Sequence, residues 1–496
     1  MIDKLKAEEN NPPRPLFHRV VKGGIWVVSL RITERIFYLI RLIILARILA
    51  PHDFGLMGIA LLTMATLETF SQTGFQAALI QKKEDSEGYL NSAWTVMIIR
   101  GLILFMILYF VAPSVATFFM EPQAKLIIQI IGFSILIQAF TNVGIIYFQK
   151  DLEFNKQFVY QFTGTFTDFV VAVSAALILR NVWAIVFGLL AGNTARLIMS
   201  YLIHPYRPHL SFDFSKVKEL FGFGKWVLGS SILVFLVTQG DSALVGKLLG
   251  AAVLGFYQLA YKISNTPTSE ITNVISQVTF PAYSKLQDNL PKLSEAYLKV
   301  LQLISYLSFL IAGLIFALAP DFTRVFLGEK WMPMVPAMQV LALAGLSRSI
   351  AATSGFIFYG VGKPNVDTRL QVIRLFILAL LIYPFTIKWG ILGTSFVVFL
   401  SIFISSIGFS YYAVRITKCG IKDFIKIIGI PLINAALVTI LILGSKSIIS
   451  SGIWKFIVFT GLGFSMYFLM TYLSDKLFNY RMQALIKESF QSLRAV

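Results

Sequence analysis

Long apolar runs alternate with short polar stretches along almost the whole chain. Each run holds about 20 residues, enough to cross roughly 30 Å of hydrocarbon as a helix. They predict about fourteen spans, near 21–48, 54–80, 92–118, 126–148, 158–180, 182–204, 221–248, 253–280, 298–319, 333–360, 367–388, 391–413, 424–446 and 453–473. Strands of a membrane barrel would alternate apolar and polar positions instead of running continuously. The pattern therefore predicts an all-α polytopic membrane protein.

Some runs carry charge where lipid would oppose it. The stretch "RITERIFYLIRLIILAR" at 31–47 contains Arg31, Glu34, Arg35 and Arg41. On an ideal helix these residues and Tyr38 fall within about 120° of arc, opposite a face of Ile, Val and Leu. An arginine at mid-bilayer costs roughly 2.5 kcal/mol or more, so this face must turn toward a hydrated cavity or a protein partner. Other runs contain Glu68, Arg100, Asp168, Arg196, Asp241, Lys262, Glu270, Arg348 and Arg374, and cations again outnumber anions.

A surplus of partly desolvated cations suits an anionic substrate, and guanidinium groups bind phosphate through paired hydrogen bonds. Arg31, Arg35, Arg41, Arg100 and Lys262 are the candidate substrate ligands. Glu34 and Glu68 suit a supporting role, with Glu34 holding one guanidinium in place. Asp168, Asp241 and Glu270 either pair with arginines or bind a coupling proton or sodium ion, since a carboxylate in changing hydration changes its affinity. Arg196, Arg369 and Arg374 lie toward span ends, where snorkelling or pairing with a neighbouring helix accounts for a lone cation.

Composition supports the membrane class. Of 496 residues, 56% are hydrophobic and 14% charged, with mean hydropathy +0.74, which a soluble domain cannot carry without large exposed apolar patches. The net charge of +18 would fit a nucleic-acid protein, but no soluble segment is large enough to form such a module. The Lys/Arg excess instead concentrates in alternate connections, including Lys82, Lys83, Lys150, Lys156, Arg207, Lys285 and Lys418. The positive-inside rule then places both termini in the cytoplasm. The single cysteine, Cys419, excludes an internal disulfide, and the four histidines lack metal-ligand spacing. The first run is too long and too charged for a cleavable signal. No cofactor or metal is expected beyond a coupling ion.

An internal repeat organises the chain. "GIWVV" at 24–28 matches "GKWVL" at 224–228, and "ARILAPHDFGLMGIA" at 46–60 matches "GKLLGAAVLGFYQLA" at 246–260, both without a gap at one common offset. The second span of each half is also polar, "TLETFSQT" at 66–73 against "NTPTSEITN" at 265–273. The expected layout is a cytoplasmic tail 1–20, a six-helix bundle 21–210, a second at 211–415, two additional helices within 416–475 and a cytoplasmic tail 476–496. Pro267, Pro384, Gly229, Gly240 and Gly355 mark candidate kinks.

"RLIILARILAPHDFGLMGIA", "FSQTGFQAALIQKK", "FGKW" and "LGAAVLGFYQLAYKI" together resemble the polysaccharide-transport branch of the multidrug/oligosaccharidyl-lipid/polysaccharide exporter superfamily. More narrowly they are similar to colanic-acid and teichuronic-acid exporters and O-antigen flippases. The resemblance implies two six-helix bundles about a central cavity and alternating access in the bacterial cytoplasmic membrane. It implies a polyprenyl-pyrophosphate-linked oligosaccharide as substrate, and a flippase role in exopolysaccharide, capsule or O-antigen (lipopolysaccharide) biosynthesis, alongside membrane lipid and polysaccharide polymerase machinery. It carries no invariant motif, so the site residues rest on charge, helix face and depth.

Competing functions meet specific obstacles. A membrane glycosyltransferase or polymerase of the same pathway needs a catalytic constellation on a large outer loop, whereas the longest outer connection is about "DFTRVFLGEKWMPM" at 321–334. A cationic-drug exporter would favour an acidic cavity. A channel would form a symmetric oligomeric pore, whereas the duplicated chain already supplies two gating halves. A peptidoglycan lipid-precursor flippase remains compatible, since it too would carry a basic cavity. The sequence thus predicts a transporter and not an enzyme.

Overall fold

A computed structural model describes residues 16–71, 87–211, 213–446 and 452–494, and among them there is no strand. The main helices are α1 (Leu16–Ile48), α2 (Pro51–Phe70), α3 (Glu87–Phe119), α4 (Pro122–Ala139), α5 (Phe154–Leu179), α6 (Trp183–Ile203) and α7 (Phe214–Leu249). They continue as α8 (Ala251–Leu286), α9 (Leu290–Phe322), α10 (Val335–Gly360), α11 (Pro364–Thr417), α12 (Ile421–Ser445), α13 (Ile453–Phe478) and α14 (Met482–Arg494). Proline opens α2, α4 and α11, where its missing N–H would have had no intrahelical partner. Short helical turns fill Val143–Ile146, Tyr147–Lys150, Thr323–Leu327 and Glu329–Met334.

Eleven helices among the described residues are long and apolar enough to cross a membrane. The difference from fourteen has a local cause in each case. α1 carries its charged face, and α8 carries the polar stretch around Pro267, so neither is among the eleven. α11 is counted once but holds two passes, 364–389 and 391–417, joined at Gly390 with φ 58° and ψ −141°. The turn is tight: the hydroxyls of Thr386 and Thr394 lie 2.8 Å apart, and a Cβ on Gly393 would overlap the Phe385 carbonyl. Only glycine fits there.

One span ends earlier than its hydropathy suggests. The run 126–148 is one continuous α-helix only to Ala139, and the apolar segment after it folds as a loop of two short helical turns, Val143–Ile146 and Tyr147–Lys150. Asn142 is the reason: its Oδ1 accepts from Gly144 N at 2.9 Å, its Nδ2 donates to the Tyr206 carbonyl at 2.7 Å, and its own N–H donates to Ser200 Oγ at 3.0 Å. The loop residue Val143 packs with Leu90, Ala93, Trp94 and Ile98, so its apolar character fills a core. The inner part of the 54–80 run, with "QTGFQAALIQKK", lies outside the described residues.

The chain divides into two compact units, residues 1–49 with 59–232, and residues 50–58 with 233–496. In the first, α5 packs along α6 and α1, and α3 along α4. In the second, α10 packs against α8, α9 and α11, around a core that includes Tyr297, Phe309, Phe358, Phe409 and Tyr467. The second unit also holds a reciprocal close crossing. A Cβ on Gly55 would overlap the Ala251 carbonyl, and one on Gly255 would overlap the Pro51 carbonyl.

The two additional helices α12 and α13 pack on α9. Tyr467 donates to the Tyr306 carbonyl at 2.9 Å, and Lys446 and Lys455 both pair with Asp321. The segment after α13 is itself helical, as α14. Asp475 accepts from the N–H groups of Met482 and Gln483 at 2.9 Å each, placing a negative charge at the start of that helix. Large exposed side chains such as Phe110, Ile178, Phe376 and Trp454 give the helices an apolar exterior suited to lipid. The protein is a multi-pass membrane protein.

Candidate functional site

Each unit holds a cluster in which arginines outnumber carboxylates, partly buried in the first unit and centred on a buried carboxylate in the second. In the first, Arg41 on α1 pairs with Asp168 on α5, Nη2 to Oδ1 at 3.0 Å, with side-chain exposures of 18% and 19%. Asp168 also lies within electrostatic reach of Arg196 on α6. Arg196 donates to Asn193 Oδ1 at 3.0 Å, and its side chain occupies space left by Gly164 on α5, where a Cβ would overlap it. Glu34 lies within electrostatic reach of Arg196, Arg35 and Arg31. Four to one helix face and two from its neighbours, the group comprises Arg31, Arg35, Arg41, Arg196, Glu34 and Asp168, with two cations in excess.

The second cluster is built around Asp241 on α7, which is 2% exposed. Its Oδ2 accepts from Tyr257 Oη at 2.7 Å, and its Oδ1 accepts from Ser242 N at 2.6 Å. Arg348 on α10 and Arg374 on α11 both lie within its electrostatic reach. Arg348 donates to Tyr261 Oη at 2.7 Å and sits over the same ring, 5.4 Å from its centroid. Two arginines thus face one carboxylate.

Both clusters contain donors that protein does not satisfy. Among the described residues, the Nε–H groups of Arg41, Arg196 and Arg374 are buried and have no hydrogen-bond partner. Buried guanidinium donors without acceptors are costly, and a water or an anion resolves the cost.

Other candidates have different settings. Arg100 holds the end of α2: its Nε donates to the Ser71 carbonyl at 2.9 Å, and its Nη2 donates to the Glu68 carbonyl at 3.1 Å and to Ser71 Oγ at 2.8 Å. It caps carbonyls that the helix leaves unpaired, a structural use of its fork. Glu68 and Arg100 both line a cavity of about 370 Å³ in the first unit. Lys262 is exposed and Glu270 half-buried on α8. Arg196 and Arg374, which the sequence assigns to snorkelling or local pairing, belong to the clusters. Their equivalent depth with Asp168 and Asp241 was the available signal, but periodicity does not say which helices face each other. Among the described residues, no three His, Cys, Asp or Glu side chains are grouped to hold a metal ion.

Residues 44–336, more than half of the chain, match the Polysaccharide biosynthesis protein family. The chain belongs to this family. It is 27% identical over 433 residues to an uncharacterized membrane protein in the cps region of Klebsiella pneumoniae, covering 86% of this chain and 88% of the relative. It is 25% identical over 364 residues to the lipopolysaccharide biosynthesis protein WzxC of Escherichia coli (strain K12), covering 73% and 74%. Among solved structures, the lipid II flippase MurJ in an inward closed conformation superposes with a TM-score of 0.71 over 92% of this chain and 99% of that one. At 14% identity this last likeness shows the fold alone. It places the chain among polytopic all-α membrane folds.

Proposed function

We propose that the chain is a flippase that moves a polyprenyl-pyrophosphate-linked oligosaccharide across the bacterial cytoplasmic membrane by alternating access. The observation that carries this reading is the pair of cation-rich clusters with buried, unpartnered Nε–H donors on Arg41, Arg196 and Arg374. A pyrophosphate supplies the acceptors those donors lack, and each charge-assisted contact is worth about 1.5–3 kcal/mol. Membership of a polysaccharide biosynthesis family, and relatives such as WzxC named for lipopolysaccharide biosynthesis, support a sugar-bearing lipid as cargo. The product then enters exopolysaccharide, capsule or O-antigen assembly, alongside polymerase machinery.

Under this reading the protein is a transporter and carries no catalytic group. The Lys/Arg asymmetry supports cytoplasmic termini, and the repeat supports two six-helix bundles followed by two further helices. Asp241 or Glu270 carries a coupling proton or sodium ion. The test is transport of undecaprenyl-pyrophosphate-linked oligosaccharide in proteoliposomes holding equal amounts of inserted protein. Arg41→Ala, Arg196→Ala and Arg374→Ala should each slow it at least tenfold, about 1.4 kcal/mol. Wild-type rates from all three would overturn the assignment.

A further inference from the structure

The first unit contains a cavity whose chemistry differs from that of the arginine clusters. Its volume is about 370 Å³, within the range of roughly 300–1,000 Å³ typical of small-molecule sites. Four glutamines line it: Gln138 at the end of α4, Gln149 on the following loop, and Gln157 and Gln161 on α5. Each amide offers two donors and one acceptor, and none of the four is hydrogen-bonded to protein among the described residues. Gln157 Oε1 is buried without a partner. Tyr160 adds an aromatic ring to the same wall.

Charge argues against a second phosphate site. Glu68 offsets Arg100, and the Arg100 Nε and Nη2 donors are already committed to the end of α2. What remains is a set of neutral amides that both donate and accept, set among apolar side chains such as Ile135, Ile145 and Phe148, a mixture that matches the hydroxyls and C–H faces of a sugar. The floor is preformed, because Asn142 ties the loop to Tyr206 and Ser200. A rigid polar pocket of this kind binds without a large ordering cost.

Position connects the cavity to the first arginine cluster. Gln157, Tyr160, Gln161, Gly164 and Asp168 recur at intervals of three and four along α5 and so share one face. Tyr160 lies within electrostatic reach of Arg196, the residue seated against Gly164. Gln161 and Asp168 are two turns apart, roughly 10 Å at 1.5 Å per residue. That separation suits a sugar joined directly to a pyrophosphate.

We propose that this cavity binds a neutral sugar residue of the transported oligosaccharide through its hydroxyls, and so selects the cargo by glycan. The proposal deepens the flippase reading and rests on it for the identity of the cargo. The test uses the full chain in nanodiscs, with Cys419→Ser and a reporter cysteine at the cavity wall, Ile146→Cys. Modification by a water-soluble maleimide is timed with millimolar D-glucose, D-galactose, N-acetyl-D-glucosamine or inorganic pyrophosphate.

At least one neutral sugar should slow modification several-fold, while pyrophosphate should leave it unchanged. Gln157→Leu with Gln161→Leu should weaken that protection at least tenfold, and Gln138→Leu provides an independent variant on another helix. A second arm compares undecaprenyl pyrophosphate with and without its oligosaccharide. The glycan should add affinity in the wild type and not in the glutamine variants. Absence of protection by every sugar, protection by pyrophosphate, or equal protection in the variants would overturn the proposal. Sugar protection without any lipid transport would instead sink the flippase reading and leave a sugar site standing.

Discussion

The two halves place opposite charges at corresponding positions. Arg41 on the first helix of one half faces Asp168, whereas Asp241, its counterpart at the repeat offset, faces Arg348 and Arg374. The carboxylates are held differently as well. Asp168 makes an ion pair at partial exposure, but Asp241 is almost fully buried and accepts hydrogen bonds from Tyr257 and Ser242. At the repeat offset each half thus carries a charged station, with the order of charges reversed. The first station depends on direct charge pairing, and the second on a hydrogen-bonded carboxylate with two nearby cations.

The largest expected effect comes from breaking the first station. Arg41→Asp leaves two carboxylates together at a partly buried site, and should lower the thermal stability more than any other single substitution at either station. Combining it with Asp168→Arg gives the first half the charge order of the second, and should restore most of the thermal stability in detergent. A double variant no more stable than the single one would show that order, and not only pairing, is fixed by the surroundings.

Next in size is the effect on phosphate recognition. Arg196→Lys and Arg374→Lys keep the charge but lose the planar fork, so transport in proteoliposomes should fall about tenfold in each. Arg196→Glu should abolish it while the protein still inserts. If only one of the two lysine variants were impaired, the stations would differ in use as well as in order.

A smaller change is expected from the second carboxylate. Asp241→Asn keeps an acceptor for Ser242 and should cost about 1–3 kcal/mol through its altered bond to Tyr257. Binding of lipid-linked cargo should persist while gradient-driven transport is lost. Asp168→Asn, whose partner is an arginine, should weaken stability more than it weakens coupling. Equal coupling defects in both would erase the distinction.

The smallest effect concerns pH at the loop beside the glutamine-lined cavity. His204 stacks on Tyr147, and its Nδ1 accepts from Tyr206 N at 3.2 Å. Burial and then Lys156 lower its pKa from the usual 6.5, with Arg207 acting the same way and Glu153 and Asp151 opposing them. The unfolded loop then binds more protons than the folded one just below that value. Stability is fully present above about pH 6.5 and falls as pH drops toward the lower folded value. Hydrogen exchange across 140–153, corrected for intrinsic rates, should rise modestly between about pH 7 and pH 5, and His204→Gln should flatten the trend.

Hydropathy and the offset repeat made the helical class, most spans and the charged face of α1 legible in the sequence. They did so because lipid imposes a long apolar run and duplication preserves spacing. Partners were less legible. The helix face of Arg41 follows from periodicity, but its pairing with Asp168 needs α1 and α5 to meet. Apolar content alone also misread the loop after Ala139, where Val143 serves a core and Asn142 terminates the helix. The glutamine cavity left no trace in hydropathy, since its four amides come from three elements, two of them on α5, and carry no charge.

The reciprocal crossing at Gly55 and Gly255 has an evolutionary reading. Each glycine lies against the backbone one turn before its counterpart, the arrangement found where a surface meets an identical copy of itself across a twofold axis. A chain half as long, pairing with a second copy through this surface, would form the same contact twice. In the single chain the two positions are independent in sequence, but the geometry of the crossing is joint. Either glycine alone, once enlarged, would wedge the crossing open. One contact geometry therefore constrains two codons that are free to mutate separately.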